Sequence, residues 1–210
     1  MKSFFGSPAS LLRRWPGVEH MPRLYDRSTR RSEMGLVKLR RMLLAEVSGA
    51  VLEMGVGTGN NLPYYSQAAS VVAFDLDPRN VRYAAAKPES GGARLLAANA
   101  QFLPFGTAQF DQVVATLMLC SVPSQAATLT EVRRVLRPGG RLHLIEHTLT
   151  GMPAVDWLLN QADRPWQWAT GGCHLNRDTA AALREAGWSL LKHRRYSGGF
   201  MNVIVAQPEP

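Results

Sequence analysis

The feature that most constrains the fold is a glycine loop that directly follows an apolar segment. Residues 50–54 read AVLEM, and Gly55, Gly57 and Gly59 follow at alternate positions. Clustered glycines indicate a tight turn or a backbone that another molecule approaches closely, because glycine adopts positive φ angles without a steric penalty. A buried strand that ends in such a loop indicates a ligand site at the carboxyl end of a parallel sheet.

Strand-like and helix-like segments alternate along the chain. Apolar runs predict strands at 50–55, 70–76, 93–99, 110–119 and 141–147, and a closing strand pair at 188–196 and 200–207. Apolar periodicity and capping signals predict helices at 36–47, from Asp77-Pro78 onward, at 124–136 and at 176–187. We therefore predict an α/β, Rossmann-like doubly wound fold, with a seven-stranded, mostly parallel sheet and an antiparallel C-terminal strand.

Positive charge is concentrated near the N-terminus. Residues 1–49 hold ten Lys and Arg against four Asp and Glu, which is +6 of the net +8. We predict a basic helical segment over 1–35, acting as a lid or a surface-binding element, and a main domain over 36–210. Such a segment either meets an anionic surface, such as phospholipid, nucleic acid or an acidic protein, or is a solvated face that aids solubility.

Signals for export, for a membrane span and for a metal site are not recognised in the sequence. Apolar runs stay below the ~20 residues that a spanning helix needs, and the N-terminus does not read as a signal peptide. Cys120 and Cys173 lie far apart with no metal-ligand spacing, so we expect no bound metal. We expect a cytoplasmic protein, with peripheral contact at the inner membrane surface through residues 1–35 as the alternative.

Two cofactor classes compete for the glycine loop. A dinucleotide fingerprint, G-x-G-x-x-G, requires a third glycine where this chain has Asn60. The loop instead fits E-x-G-x-G-x-G, from Glu53 to Gly59. Asp75 ends the second strand, where a carboxylate can accept both hydroxyls of a ribose. Asp77 is the nearby competitor, but its position before a proline is typical of a helix cap.

Further motifs follow the loop in a recognisable order. They are VVAFDLDP, ANAQFLPF, QFDQVVATLMLCSV and EVRRVLRPGGRLHLIEH. From Val51 to His147 the chain resembles the class I S-adenosylmethionine-dependent methyltransferases, with E-x-G-x-G-x-G as their first motif. The resemblance implies a methyltransferase domain over 36–210, S-adenosylmethionine as cofactor and S-adenosylhomocysteine as product.

The resemblance also implies which residues bind the cofactor. Asn99 stands where the family most often has aspartate, and its carbonyl can still accept a hydrogen bond from the adenine amine. Tyr25 falls where relatives often place a tyrosine that closes over the cofactor, with simple helix packing as the alternative. Leu76 and Phe102 are candidates for an apolar adenine slot. The predicted cofactor-binding residues are Tyr25, Glu53, Gly55, Gly57, Gly59, Asn61, Asp75, Leu76, Asn99, Ala100, Gln101 and Leu117.

The C-terminal part of the chain carries the information on the methyl acceptor. Residues 155–179, together with LCSV and EH, are similar to the methyltransferase-like 7 group of thiol methyltransferases. This implies a small or hydrophobic acceptor, with S-methylation of a thiol as the first choice. Phosphatidylethanolamine N-methylation at a membrane surface is the alternative, and a non-catalytic S-adenosylmethionine sensor is the alternative of another class. We expect no nucleic-acid partner, because no recognition motif is present.

Candidate residues for the acceptor side come from two regions. His147 and His174 are candidate proton acceptors. Glu146 and His147 are neighbours on a strand and point in opposite directions, so only one of them can face the pocket. The predicted substrate-binding residues are Asp163, Trp166, Cys173 and Arg177.

Each of these assignments has a structural alternative. Cys173 is alternatively a small buried residue, and Arg177 an ion-pair partner within its loop. His174 alternatively packs a loop before a helix that Asn176 caps.

Overall fold

The computed structural model describes residues 17–88 and 91–209. A 3₁₀ turn, Val18–His20, precedes the first α-helix. The helices are α1 (Pro22–Leu44), α2 (Pro78–Ala85), α3 (Gln125–Val135), α4 (Pro153–Thr170) and α5 (Thr179–Glu185). The strands are β1 (Gly49–Met54), β2 (Ala69–Asp75), β3 (Arg94–Ala97), β4 (Phe110–Thr116), β5 (Leu136–His147), β6 (Trp188–Tyr196) and β7 (Met201–Pro208).

The strands form one seven-stranded sheet in the order β3-β2-β1-β4-β5-β7-β6. Strands β1 to β5 pair in parallel, and β7 runs antiparallel to both β5 and β6. The predicted fold class is confirmed. The chain proceeds outward from β1 in one direction and from β4 in the other, so the strand order reverses between them. In open α/β sheets this reversal opens a crevice at the carboxyl ends of the strands.

Both faces of the sheet are buried. Successive residues of a strand point to opposite faces, and in β1 Val51 packs with Leu44 of α1 while Leu52 packs with Leu144 on the other side. All four side chains are fully buried. Burial on both faces explains why the parallel strands read as nearly continuous apolar runs.

Two helix predictions are corrected. The helix predicted at 36–47 is the second half of α1, which begins at Pro22, and the predicted domain boundary between 35 and 36 falls inside it. Gly35 does not interrupt the helix, although glycine costs about 1 kcal/mol there relative to alanine. The late helix is capped by Asp178, which accepts from Ala181 N–H, and not by Asn176. Residues 1–16 of the predicted basic segment lie outside the described residues.

Helix α4 was not predicted. It begins at Pro153 and ends at Thr170, where Gly171 follows in the left-handed conformation with a φ of 109°. Pro165 lies inside the helix, and an internal proline reads as a helix break in a sequence. Within the described ranges, none of the helices has the length and apolar character needed to cross a bilayer.

His143 makes the stability of this fold sensitive to acid. Its side chain on β5 is buried, with Nε2 2.7 Å from Gln112 Oε1. Burial lowers its pKa from 6.5 to about 4, with Glu46 opposing the shift and Arg141 and Lys192 adding to it. Between these two pH values the unfolded chain takes up a proton that the folded chain does not. The free energy of unfolding therefore decreases as the pH falls through this window.

We expect His143→Gln to flatten this pH dependence, removing a loss of roughly 3 kcal/mol across the window. Urea denaturation at fixed ionic strength measures it, with the exposed His193→Gln on β6 as the control. Equal slopes for wild type and H143Q would contradict the prediction.

Candidate active site

The glycine loop lies in the crevice at the carboxyl end of β1. Gly55, Gly57 and Gly59 all have positive φ, at 69°, 53° and 85°. A Cβ atom at Gly55 would lie 2.5 Å from Met118 Cγ, whereas at Gly57 the nearest atom would be 4.0 Å away. Packing therefore requires the first glycine, and the second leaves space for a ligand to approach the backbone.

Asp75 ties this loop to the end of β2. Its Oδ2 accepts from Gly57 N–H at 2.9 Å, and its Oδ1 accepts from Asp77 N–H at 2.9 Å. Asp77 caps α2 by accepting from Arg79 N–H at 2.8 Å and pairs with His20. Hydrogen bonds from Arg79 hold the pKa of Asp77 at about 2. The cap role of Asp77 is confirmed, which leaves Asp75 as the carboxylate beside the loop.

Two large apolar side chains that follow β2 and β3 are exposed to solvent. Leu76 and Phe102 are 64% and 77% exposed, which is high for large hydrophobic residues. Between them in sequence, Asn99 Oδ1 accepts from Gln101 N–H at 2.9 Å, and Ala100 is buried. An oxygen can accept a second hydrogen bond, so the Asn99 carbonyl keeps acceptor capacity. This arrangement suits the faces and edge of a purine.

A buried polar network lies beneath the loop. Glu53 Oε1 accepts from Asn61 Nδ2 at 3.0 Å, and Asn61 also donates to Thr116 Oγ1 at 3.0 Å. Burial raises the pKa of Glu53 to about 7, although Tyr65, Asn61 and Arg40 lower it. The effect of burial on the Glu53 pKa is therefore larger than the opposing effect of these three residues.

Arg40 belongs to the same network and was missed in the sequence. Its Nη1 donates to Asn61 Oδ1 at 2.5 Å, and its Nη2 pairs with Glu33 at 3.0 Å. Its Nε, like Thr58 Oγ1, is buried without a hydrogen-bond partner among the described residues. The signal was present, since Arg40 follows Leu36 by four residues in the otherwise apolar stripe of α1.

Tyr25 and Leu117 are two further residues that were predicted to bind the cofactor. Burial raises the pKa of the Tyr25 phenol, and Glu33 and Glu19 add to the shift, so its hydroxyl lies near those carboxylates. Leu117 follows β4 with a φ of 53°, and its N–H donates to Ile145 O at 2.7 Å. Non-glycine residues in this conformation are uncommon and cluster at functional sites.

Three residues that are distant in sequence meet at the ends of β4 and β5. His147 Nε2 lies 2.9 Å from Cys173 Sγ, and Cys173 Sγ lies 3.6 Å from Cys120 Sγ. The three atoms all lie within 4.8 Å of one another, and the three residues are buried. The His147 ring stacks on Phe200 at 5.3 Å. The spacing along the chain gave no ligand pattern for the cysteines, yet the fold brings them together beside a histidine.

Hydrogen bonding shifts the pKa values of the two thiols in opposite directions. Bonds from Cys120 and then His147 lower the pKa of Cys173 to about 4 against the effect of burial. The pKa of Cys120 is raised by its bond to Cys173 and by burial. The pKa of Cys173 is therefore the lower of the two.

Glu146, the neighbour of His147 on β5, bonds the backbone of the loop after β4 and interacts electrostatically with all three residues of the cluster. Its Oε1 accepts from the backbone N–H groups of Met118 and Leu119, both at 2.8 Å. Glu146 thus holds the loop after β4, and His147 is the residue of the pair that faces the cysteines.

The other predicted acceptor-side residues hold the loop after α4 in place. Asp163 is buried and accepts from Leu175 N–H at 2.8 Å, and its Oδ2 lies 3.4 Å from His174 Nδ1. Arg177 donates to the carbonyls of Leu119 and Val122 at 2.7 and 2.6 Å. Their direct contact with a substrate stays a prediction. Trp166 is 45% exposed and contributes to lowering the pKa of Cys173.

Glu19 enters the site from the turn before α1 and was also missed. Ser121 Oγ donates to its Oε2 at 3.4 Å. Burial raises the pKa of Glu19 to about 8; Cys173 and Asp75 also raise it, and Ser121 and His147 lower it. Glu19 is therefore close both to the carboxylate of Asp75 and to the buried cluster. Short turns give no periodic signal by which such a residue could be found.

Comparisons with known proteins decide the family. A family model described as a methyltransferase domain matches residues 52–144. Human thiol S-methyltransferase TMT1B is 30% identical over 191 residues, covering 84% of this chain and 78% of the relative. The chain belongs to the class I S-adenosylmethionine-dependent methyltransferases. This confirms the family predicted from the motifs, and S-adenosylmethionine is the cofactor of this methyltransferase.

Other relatives name two kinds of acceptor. Human thiol S-methyltransferase TMT1A is 33% identical over 149 residues, covering 68% of this chain. This chain spans 61% of TMT1A, less than two thirds of its length. Phosphatidylethanolamine N-methyltransferase of Cereibacter sphaeroides is 36% identical over 115 residues, covering 51% of this chain and 57% of the relative.

Solved structures show the same fold at low identity. A Haloferax volcanii methyltransferase, solved in complex with a methyltransferase activator, matches with a TM-score of 0.71 at 17% identity, covering 88% of this chain and 94% of that one. A Thermotoga maritima S-adenosylmethionine-dependent methyltransferase matches with a TM-score of 0.68 at 19% identity, covering 93% and 99%.

The crevice fits this cofactor chemically. Burial raises the pKa of Glu53 in spite of Arg40, so the cofactor's ammonium would add a favourable cation there, and Arg40 Nε, without a partner among the described residues, suits the cofactor's carboxylate. Asp75 is placed to accept from the ribose, and the exposed Leu76 and Phe102 to contact the adenine. These roles are proposals that rest on the positions of the residues.

A pair of variants tests the ribose contact. We expect Asp75→Ala to raise the Kd for S-adenosylhomocysteine at least tenfold, or about 1.4 kcal/mol. The matched Asp77→Ala should lower stability by about 1 kcal/mol through loss of the cap and leave the Kd within about twofold. Isothermal titration calorimetry and urea denaturation measure the two effects. A raised Kd in D77A alone would place the ribose contact at Asp77.

Proposed function

We propose that the methyltransferase transfers the methyl group of S-adenosylmethionine to the sulfur of a small, hydrophobic thiol. The observation that carries this proposal is the extent of the similarity to TMT1B, which covers 84% of this chain. The match to the methyltransferase domain ends at residue 144. The part of the chain that TMT1B leaves unmatched is shorter than the segment 145–210. The similarity therefore extends into α4, beyond the part that binds the cofactor.

The residues of the site divide between two tasks. The glycine loop, Glu53 and Asp75 hold the cofactor, which supplies an electrophilic methyl group on a sulfonium. The cluster of Cys120, His147 and Cys173 faces the acceptor, with the half-exposed Trp166 beside it. Methyl transfer depends on holding the nucleophile, the methyl carbon and the leaving sulfur in line in a site that excludes water.

His147 contributes through its position in the cluster. Its Nε2 is engaged by Cys173, and its Nδ1 is buried with no hydrogen-bond partner in the described ranges. His174 Nδ1 lies 2.9 Å from Gln167 Nε2 and close to Asp163. We infer that His147 is nearer to the acceptor than His174, because it belongs to the cluster at the end of β5.

Phospholipid N-methylation is the second candidate, and α4 favours it. Trp157 and Trp168 are 61% and 51% exposed. They lie eleven residues apart, about three helical turns, and so project from one side of the helix. Exposed tryptophans suit a membrane interface. The relative that methylates phosphatidylethanolamine, however, covers only 51% of this chain.

A label-transfer experiment separates the two candidates. Purified protein with methyl-labelled S-adenosylmethionine is offered alkyl thiols of increasing chain length, or phosphatidylethanolamine vesicles. We expect label in the thiol without vesicles, with kcat/KM rising by up to about fourfold for each added methylene that is buried. D75A should lower the transfer at least tenfold at limiting cofactor.

The variant Trp157→Ala distinguishes the outcomes further. Under thiol methylation it should leave transfer to soluble thiols within about twofold. Label that enters only phosphatidylethanolamine, and that falls in W157A, would replace the thiol proposal by the phospholipid one.

A further inference from the structure

The cluster of Cys120, His147 and Cys173 has the composition of a zinc site. Thiolate and imidazole are the ligands that zinc takes most often in proteins. The three ligand atoms lie within 4.8 Å of one another, and all three residues are at most 8% exposed. We propose that these residues bind one Zn²⁺ ion, whose fourth coordination position takes the sulfur of the acceptor thiol.

The distances between the ligand atoms are close to those of a metal site. Two sulfur atoms on one tetrahedral zinc at about 2.3 Å each lie about 3.8 Å apart, and Cys120 and Cys173 are 3.6 Å apart. A sulfur and a nitrogen on the same ion lie about 3.6 Å apart, so the 2.9 Å between Cys173 and His147 must widen by roughly 0.7 Å.

The ligand count indicates a catalytic ion. Structural zinc sites have four protein ligands, whereas catalytic sites have three and leave one position for water or substrate. Across residues 17–88 and 91–209 the group contains three ligands. The positions of the ligands also agree with a catalytic role, because Cys120 follows β4 and His147 ends β5, at the edge of the sheet where ligands bind. Cys173 follows α4.

The cluster is next to the cofactor crevice. Cys120 follows the left-handed Leu117 by three residues at the carboxyl end of β4. Glu19 interacts electrostatically with Asp75 and also with Cys173 and His147. The cluster and the glycine loop therefore lie at the same edge of the sheet, on the two sides of the point where the strand order reverses.

Zinc would give this site its nucleophile, an inference that rests on the proposed thiol acceptor. A thiol that binds Zn²⁺ loses its proton to water and becomes a zinc-bound thiolate. An electron pair of that sulfur forms the new S–CH₃ bond. The bond from the methyl carbon to the sulfonium breaks, and its electron pair stays on the cofactor sulfur, giving S-adenosylhomocysteine and a thioether. Because a thioether is a weaker ligand than a thiolate, the product leaves the ion readily.

Metal binding is tested without any methyl acceptor. The full-length protein is made metal-free under reducing conditions and titrated with Zn²⁺ by calorimetry and with Co²⁺ by absorption spectroscopy. We expect one ion per chain and a thiolate-to-cobalt charge-transfer band. Cys120→Ser, Cys173→Ser and His147→Gln should each weaken zinc binding at least tenfold. The exposed His193→Gln is the matched control and should bind zinc as wild type does.

Folding of the variants is checked by circular dichroism and by the Kd for S-adenosylhomocysteine. Absence of the cobalt band in wild type would overturn the proposal without recourse to any variant. A mass lower by two hydrogens in oxidised protein, with no zinc uptake after reduction, would show instead that the cysteines form a disulfide.

The role of the ion is tested separately from the identity of the acceptor. Metal-free enzyme should lose at least tenfold in kcat/KM for a thiol and regain it with Zn²⁺. Thiol methylation that is equal with and without zinc would overturn the metal proposal and leave the proposed function intact. Zinc bound at the cluster with label entering only phospholipid would overturn the thiol acceptor and the catalytic role of the ion, while the binding site itself would stand.

Discussion

The reversal of strand order between β1 and β4 is the constraint on which the site depends. Parallel strands with buried faces must end at the same edge of the sheet, and the reversal leaves that edge uncovered at one point. The glycine loop after β1 and Asp75 at the end of β2 lie on one side of this point. Cys120 after β4 and His147 at the end of β5 lie on the other. One topological feature therefore places side by side what we propose as the cofactor half and the acceptor half of the site.

The cofactor half could be predicted from the sequence because its geometry is local. Gly55 to Gly59 follow a strand directly, and the hydrogen bond from Gly57 N–H to Asp75 is a consequence of β1 and β2 being neighbours in the sheet. The position of Asp77 before Pro78 predicted a helix cap and not a ribose contact, and the structure confirms the cap. Each of these assignments needed only the end of a strand and the residues directly after it.

The acceptor half could not be predicted in the same way because long-range packing creates it. The cysteines are 53 residues apart, and only the return of α4 across the end of β4 brings Cys173 to Cys120. Glu19 is 102 residues from Ser121, to which it is bonded. Arg40 was missed for another reason: its place in the apolar stripe of α1 marked it as unusual, but only the structure shows its partner Asn61.

The two halves also differ in what holds them in place. In the cofactor half, main-chain geometry fixes the loop: the glycines adopt positive φ angles, and Asp75 accepts hydrogen bonds from backbone N–H groups. The acceptor half is held by the buried Glu146 and Asp163 and the partly buried Arg177, which bond the backbone of the loops that carry the cluster. Removing one partner of such a bond leaves a buried polar group unsatisfied, which costs about 1–3 kcal/mol. Under the proposed function, a change of acceptor would proceed through exposed residues such as Trp166, while Glu146, Asp163 and Arg177 keep the cluster in position.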